Sequence, residues 1–281
     1  MQGTGTQNDP LVPYEWDEVI EAIGTSGVYV KFPDTAGEYD MNTLYPEGVP
    51  RIRIRCTQIN GNGWNIKNIY STDSPFAVFG LCNIVRLNIV DFLHEGSDFF
   101  LLNENYYADG QLLIEHCKLS GIMSSGTLFH RDTRHSDQIF KLMRSSVNVR
   151  ADNNAVVFGA EMNSSYAAVN NCNIKIVGNS IDPFGASYMY NCFVQGDMSP
   201  NQDKGIKLVS GSNYNIIVAD LSQSASSALL TCPNGINLIN SDLLPAGTSI
   251  PAGMKGCTTE QLKDASYLAE DEEVGFPIGA G

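Results

Sequence analysis

From Arg51 onward, one short pattern of alternating aliphatic and polar positions keeps returning. Arg51-Ile52-Arg53-Ile54-Arg55 alternates, and Trp64-Asn65-Ile66-Lys67-Asn68-Ile69 follows a Gly-Asn-Gly turn. Then come Cys82-Asn83-Ile84-Val85, Cys117-Lys118-Leu119, Ser145-Ser146-Val147-Asn148-Val149, Cys172-Asn173-Ile174-Lys175-Ile176 and Cys192-Phe193-Val194. Tyr214-Asn215-Ile216-Ile217-Val218 and Ile236-Asn237-Leu238-Ile239 close the series. From Trp64 to Tyr214 the starts of these runs lie 18, 35, 28, 27, 20 and 22 residues apart. Alternation with period two is the mark of a strand with one buried face. One strand motif per period of about 20–35 residues is the mark of a solenoid. Helical periodicity is absent from residues 50–255, which removes the α-solenoids, and two-residue hairpin signals are scarce, which disfavours a sandwich. The pattern predicts a parallel β-helix of roughly eight to ten coils, about 40–50 Å long at the usual strand spacing. Ile84, Cys117, Leu119, Val147, Cys172, Ile174, Cys192 and Val194 are the expected inner ladder.

Both ends break the pattern. Trp16, Val19, Ile20 and Ile23 follow at helical spacing with acidic residues between them, and Gly24 and Gly27 end the run. Leu11-Val12 reads as a short strand and Val28–Phe32 as a longer one, closed by Pro33. At the other end Thr258 and Glu260 open a helix. Leu262, Ala265, Tyr267 and Leu268 supply its apolar side, before an acidic run Glu270–Glu273 and an apolar tail Val274–Ile278. The division is a leader and capping helix over 1–50, coils over 51–255, and a helix and tail over 256–281. A solenoid must cover both open ends against edge-to-edge aggregation, and these ends are the expected covers.

Composition sharpens this picture. Of 281 residues only 17% are charged, below the roughly 25% of an ordinary domain, while 43% are hydrophobic. The polar surface must be uncharged, and the 25 Asn beside 26 Gly supply turns after short strands. A net charge of −14 argues against a nucleic-acid surface. There is no apolar run of about 20 residues, so no membrane span is expected. The first 30 residues lack a basic segment followed by an apolar one, so no secretory signal is expected. Seven Cys without a CxxC argue against a disulfide framework and a zinc site; buried thiols are expected instead.

The leader Gly3-Thr4-Gly5-Thr6-Gln7-Asn8-Asp9-Pro10, the Trp-containing helix and the strand Val28–Phe32 resemble the cap before coil one of pectin-lyase-like, right-handed parallel β-helix proteins. The ending Leu262–Leu268 with Gly275-Phe276-Pro277-Ile278 resembles the short tail of such chains in tailed bacteriophage virions. The resemblance implies an all-β, right-handed parallel β-helix. It also implies a head or tail appendage made in the host cytoplasm and built as a homo-oligomer, commonly a trimer, beside other virion proteins. Spike, fibre and decoration roles stay open, as does host attachment through surface polysaccharide. A polysaccharide-degrading or polysaccharide-binding tailspike is the alternative.

Candidate chemistry is sparse. His130, Arg131, Asp132, Arg134, His135 and Asp137 form the densest polar cluster and are read as a contact patch. Glycoside hydrolysis needs two carboxyl groups roughly 5–9.5 Å apart across the bond. The Asn-Thr-Asp, Asp-Asp and Gly-His-Gly motifs of pectinase-like enzymes do not occur; His94-Glu95-Gly96 is the nearest match. Asp91, Asp98 and Asp109 are scattered, and Asp152 and Glu161 are too few for calcium. No P-loop, dinucleotide fingerprint or nucleophile elbow is present. The expectation is no catalytic residue, no metal and no cofactor. Arg51, Arg53 and Arg55 share one strand face suited to an acidic partner, while Trp16 and Trp64 belong to the cap and the first coil.

Overall fold

The computed structural model describes residues 1–102, 111–129, 139–153, 155–159, 167–178, 188–197, 206–208, 210–224 and 230–264. Three sheets run along a β-solenoid. The first has seven strands: Tyr29–Lys31, Gln58–Asn60, Leu81–Val85, Gln111–Glu115, Ile139–Met143, Ala167–Asn170 and Met189–Tyr190. The second stacks ten strands in chain order: Glu38–Asp40, Asn65–Lys67, Asn88–His94, Lys118–Met123, Ser146–Ala151, Asn173–Val177, Phe193–Asp197, Ile216–Asp220, Leu238–Asn240 and Lys255–Cys257. The third has five: Ile52–Ile54, Phe76–Val78, Asp98–Leu102, Thr127–Phe129 and Val156–Phe158. Pairing is parallel throughout these sheets, because each strand meets the equivalent strand one full winding later.

The winding is set at one corner. Between the first and second sheets the chain turns on two residues. The first is left-handed: Arg86, His116, Arg144, Asn171, Asn191 and Tyr214 have φ between 48° and 59°. The second points inward: Leu87, Cys117, Ser145, Cys172, Cys192 and Asn215 are all buried. Asn tolerates left-handed backbone; Arg, His and Tyr do so at a cost of about 1 kcal/mol or more. Stacking offsets that cost. Each left-handed residue donates its amide N–H to a carbonyl of the next coil, Arg86 to Glu115 at 3.0 Å, Arg144 to Asn170 at 3.0 Å and Asn171 to Tyr190 at 2.9 Å.

This corner also corrects one line of the repeat. Cys82 lies inside a first-sheet strand, and Leu87 occupies the corner slot of its coil, in register with Trp64 before it and Cys117 after it. The uneven spacing of 18 and 35 thereby becomes 23 and 30. The eight expected ladder residues are all buried, Ile84 from the first sheet and the other seven at the corner or in the second sheet.

Inside, the third sheet carries a column of phenylalanines. Phe76, Phe100, Phe129 and Phe158 stack in consecutive coils with ring centroids 5.5, 6.1 and 5.2 Å apart and planes within 22° of parallel. In-register parallel strands place equivalent side chains one above another, so a flat ring in one coil favours a flat ring in the next.

A helix covers the first coil, while at the far end only Thr259–Lys263 of the expected helix is described, and Ala265, Tyr267, Leu268 and the tail 270–278 lie outside the described residues. The helix Trp16–Gly24 buries Trp16, Val19, Ala22 and Ile23 over the first coil. Trp16 donates its indole N–H to Tyr45 at 3.0 Å, and Trp64 donates to the Pro33 carbonyl at 3.0 Å. Leu11 pairs with the edge of the first sheet through single bonds to Tyr29 and from Lys31. Tyr29–Lys31 and Glu38–Asp40 already belong to the stack, so the first coil starts inside the segment read as leader and cap. At the far end Thr258 and Gln261 form a reciprocal capping box on the helix Thr259–Lys263, and Leu262 packs on Leu238 and Cys257. None of the described helices is long and apolar enough to cross a membrane.

Candidate functional site

The contact-patch residues His130, Arg131, Asp132, Arg134, His135 and Asp137 lie outside the described residues. Their anchors are described. The chain leaves the third sheet at Phe129 and re-enters the first at Ile139. The same step takes two residues between Val78 and Leu81 but eight between Leu102 and Gln111 and eight between Phe158 and Ala167. Three successive coils thus carry their long connections at one corner. Insertions confined to one side of a solenoid mark the side that varies for function.

His94 ends a second-sheet strand and is fully buried, unlike a histidine on a substrate-facing surface. Its Nδ1 lies 2.8 Å from Ser71 Oγ, and its Nε2 lies 3.3 Å from the Ser97 carbonyl. The carbonyl only accepts, so Nε2 carries the proton and Nδ1 accepts from Ser71. Phe99 meets the ring edge-on at 5.5 Å. Ser71 is itself buried, so this serine–histidine pair is closed to substrate and ties three segments of adjacent coils together. Burial pulls the His94 pKa below 6.5, outweighing the Ser97 carbonyl and the more distant Asp98 and Asp73. In acid the unfolded chain therefore binds a proton that the folded one refuses, and stability falls as pH drops below about 6.5. Replacing His94 by Gln is expected to flatten the pH dependence of the urea midpoint between pH 6.5 and the lowered folded value. An unchanged slope would show that other groups set it.

The acids named from the sequence do not converge. Asp91 sits at φ 56° in a β-bulge opposite Ser120, with its side chain exposed. Asp152 pairs with Arg150 at 2.8 Å. Asp109 and Glu161 lie outside the described residues. Among the described residues no three His, Cys, Asp or Glu side chains gather as metal ligands. The seven thiols are buried and free, and burial pushes Cys117 up to about 11, which keeps it protonated and unreactive.

Two features face outward. Arg51, Arg53 and Arg55 alternate with buried Ile52 and Ile54 as the pattern predicts. Arg51 grips Asp73 of the next coil through contacts of 2.6 and 2.8 Å, which lowers the Asp73 pKa, and Arg55 lies 5.3 Å over Phe79. Elsewhere, Tyr190 and Phe193 flank one corner at 40% and 39% exposure, and Tyr214 of the next coil meets Tyr190 edge-on at 5.3 Å.

Fold and surface together define a parallel β-solenoid protein. No family model matches the chain, and no curated protein matches it. Among solved structures it is similar to a candidate immunoglobulin A1 protease from Bacteroides ovatus, at 12% identity and a TM-score of 0.47, over 95% of this chain and 89% of that one. A likeness of that degree says nothing about activity in this chain.

Proposed function

We propose that this chain is a structural component of a bacteriophage virion, a rigid rod of stacked coils that associates with copies of itself as a trimer. The observation that carries the reading is the aromatic corner where Tyr190 and Phe193 are exposed and half-buried Tyr214 meets Tyr190 edge-on. Outward positions elsewhere on the second sheet are largely polar, such as Lys118, Asn148, Asn173 and Lys175. A contiguous apolar patch on such a surface is a contact for another protein. The helix Trp16–Gly24 covers the core of the first coil, which favours lateral contact in the trimer, and the resemblance of leader and tail to phage chains supplies the setting. Residues 130–137 are assigned to contact, with host-surface glycan as one surface they meet.

Light scattering is expected to give three times 30.6 kDa, about 92 kDa, for the parent chain. The double change Tyr190→Asp, Phe193→Asp is expected to return it to the monomer mass with its β-rich circular dichroism intact. An oligomer that ignores both changes would overturn this interface. Mass spectrometry of purified phage particles tests the setting: the chain is expected as a fixed-ratio component. Its presence in the lysate but not in particles would overturn the virion reading.

A further inference from the structure

A groove of about 340 Å³ runs along the outer face of Ile52–Ile54, lined by Arg51, Arg53, Arg55, Ile20, Tyr45 and Pro50. Three of the chain's 17 basic residues therefore stand within five positions, in a protein of net charge −14. Arg51 is held by Asp73 and Arg55 leans on Phe79. Arg53, between them, is exposed and has no ion pair among the described residues. The groove offers guanidinium groups along one strand and apolar contacts from Ile20, Tyr45 and Pro50. Guanidinium forks match carboxylates, so the fitting occupant is an acidic segment with apolar residues beside it.

We propose that this groove receives the C-terminal segment Glu270–Ile278 of a second copy. The sequence Glu-Asp-Glu-Glu followed by Val, Phe, Pro and Ile presents four carboxylates and then an apolar stretch, the complement of the lining. The inference rests on the reading that the chain self-associates, and it names a second contact. Within one molecule that contact is out of reach. The groove belongs to the first coil, and Leu262 packs on Leu238, eight strand steps along the second sheet from that coil, about 38 Å at the usual spacing. The described chain ends at Asp264, nine residues before Glu273, and nine extended residues span at most about 32 Å. The four carboxylates therefore meet the groove of a different molecule. In a trimer of parallel rods the three grooves lie at one end, and Asp264, from which each tail departs, lies toward the other. The contact is then heterologous and joins rods end to end.

Sedimentation velocity of the full chain at low salt tests this. The parent is expected to show species larger than the trimer that disappear at about 0.5 M salt, where charges more than a few ångströms apart are screened. A groove-reversed chain, Arg53→Glu with Arg55→Glu, and a tail-reversed chain, Glu272→Lys with Glu273→Lys, are each expected to lose those species by at least about tenfold. Mixing the two is expected to restore them, because each groove then meets a tail of opposite sign. The substituted positions in the groove are exposed, so thermal midpoints within a few degrees of the parent confirm that folding is intact. Large species that survive removal of residues 265–281 would overturn the groove contact and leave self-association standing. A parent that stops at the trimer would do the same. A parent that stays monomeric throughout would overturn both.

Discussion

Replacing Asn237 by Leu is expected to cost about 3–5 kcal/mol, the largest effect of any single change at the corner. Asn237 is almost fully buried and bonds in three directions. Its side-chain N–H groups donate to the carbonyls of Ser212 and Gly253, each at 2.8 Å, and its oxygen accepts from the Asn215 side chain at 2.7 Å. Asn215 repeats the arrangement one coil earlier, donating to the Met189 carbonyl at 2.9 Å and accepting from the Cys192 amide at 2.9 Å. A leucine fills the volume and strands two carbonyls and one amide away from water, each worth about 1–3 kcal/mol. At roughly 2–4 °C per kcal/mol, the thermal midpoint falls by about 10 °C. Cys172→Ser, in the same column of side chains, serves as the mild comparison, with an effect of about 1 kcal/mol. If Asn237→Leu unfolded with the parent's midpoint, the amide pair would have no stabilising role.

The phenylalanine column gives the second large effect. Phe129 is fully buried and touches Phe100 and Phe158 along the axis and Phe140, 5.1 Å away, across the interior. Phe129→Ala removes a ring from the middle of the stack and opens a cavity that the neighbouring strands, held by their own pairing, cannot close. The expected loss is about 3–5 kcal/mol, and Phe129→Leu, which keeps much of the volume, should lose less than half of it. Chemical denaturation of the three proteins measures the series. Equal losses for Ala and Leu would mean that ring stacking, rather than filled volume, carries the stability of this column.

Why the alternating pattern reveals a solenoid, and where it misleads, follows from particular residues. Ile174 and Ile176 point inward and Asn173 and Lys175 outward because a strand has period two, so the second sheet is legible without a structure. Cys82 resembled the corner cysteines because Cys-Asn-Ile also fits a strand interior, and only the register with Leu112 places it in the first sheet. The left-handed corners at Arg86, Arg144 and Tyr214 carry no local signal, since none of these residues favours that backbone. They are imposed by the stacked coils on either side. Asn215 and Asn237 stand as polar positions in the alternating runs, yet they sit in the buried slot that Cys117, Cys172 and Cys192 fill. A shared slot before polar-aliphatic alternation was the available clue.

The candidate site was less legible. Arg51, Arg53 and Arg55 face outward as alternation requires, but Asp73, which holds the first of them, lies 22 residues away and one coil later. In the sequence His94 stands out only as part of the nearest match to a Gly-His-Gly motif; the strand Asn88–His94 turns it inward toward Ser71. Long-range neighbours of this kind are fixed by coil length, which varies from one winding to the next. The cluster around His130 was visible as composition alone and falls outside the described residues.

The corner amides also make the rod a record of its own integrity. Each left-handed residue lends its N–H to the coil that follows: His116 to Met143, Asn191 to Asn213, Tyr214 to Ile236. Exchange of that hydrogen with solvent therefore requires the two coils to part, by opening of either one. Six amides in line thus act as successive tell-tales, and their exchange order reads out the direction in which the stack unzips.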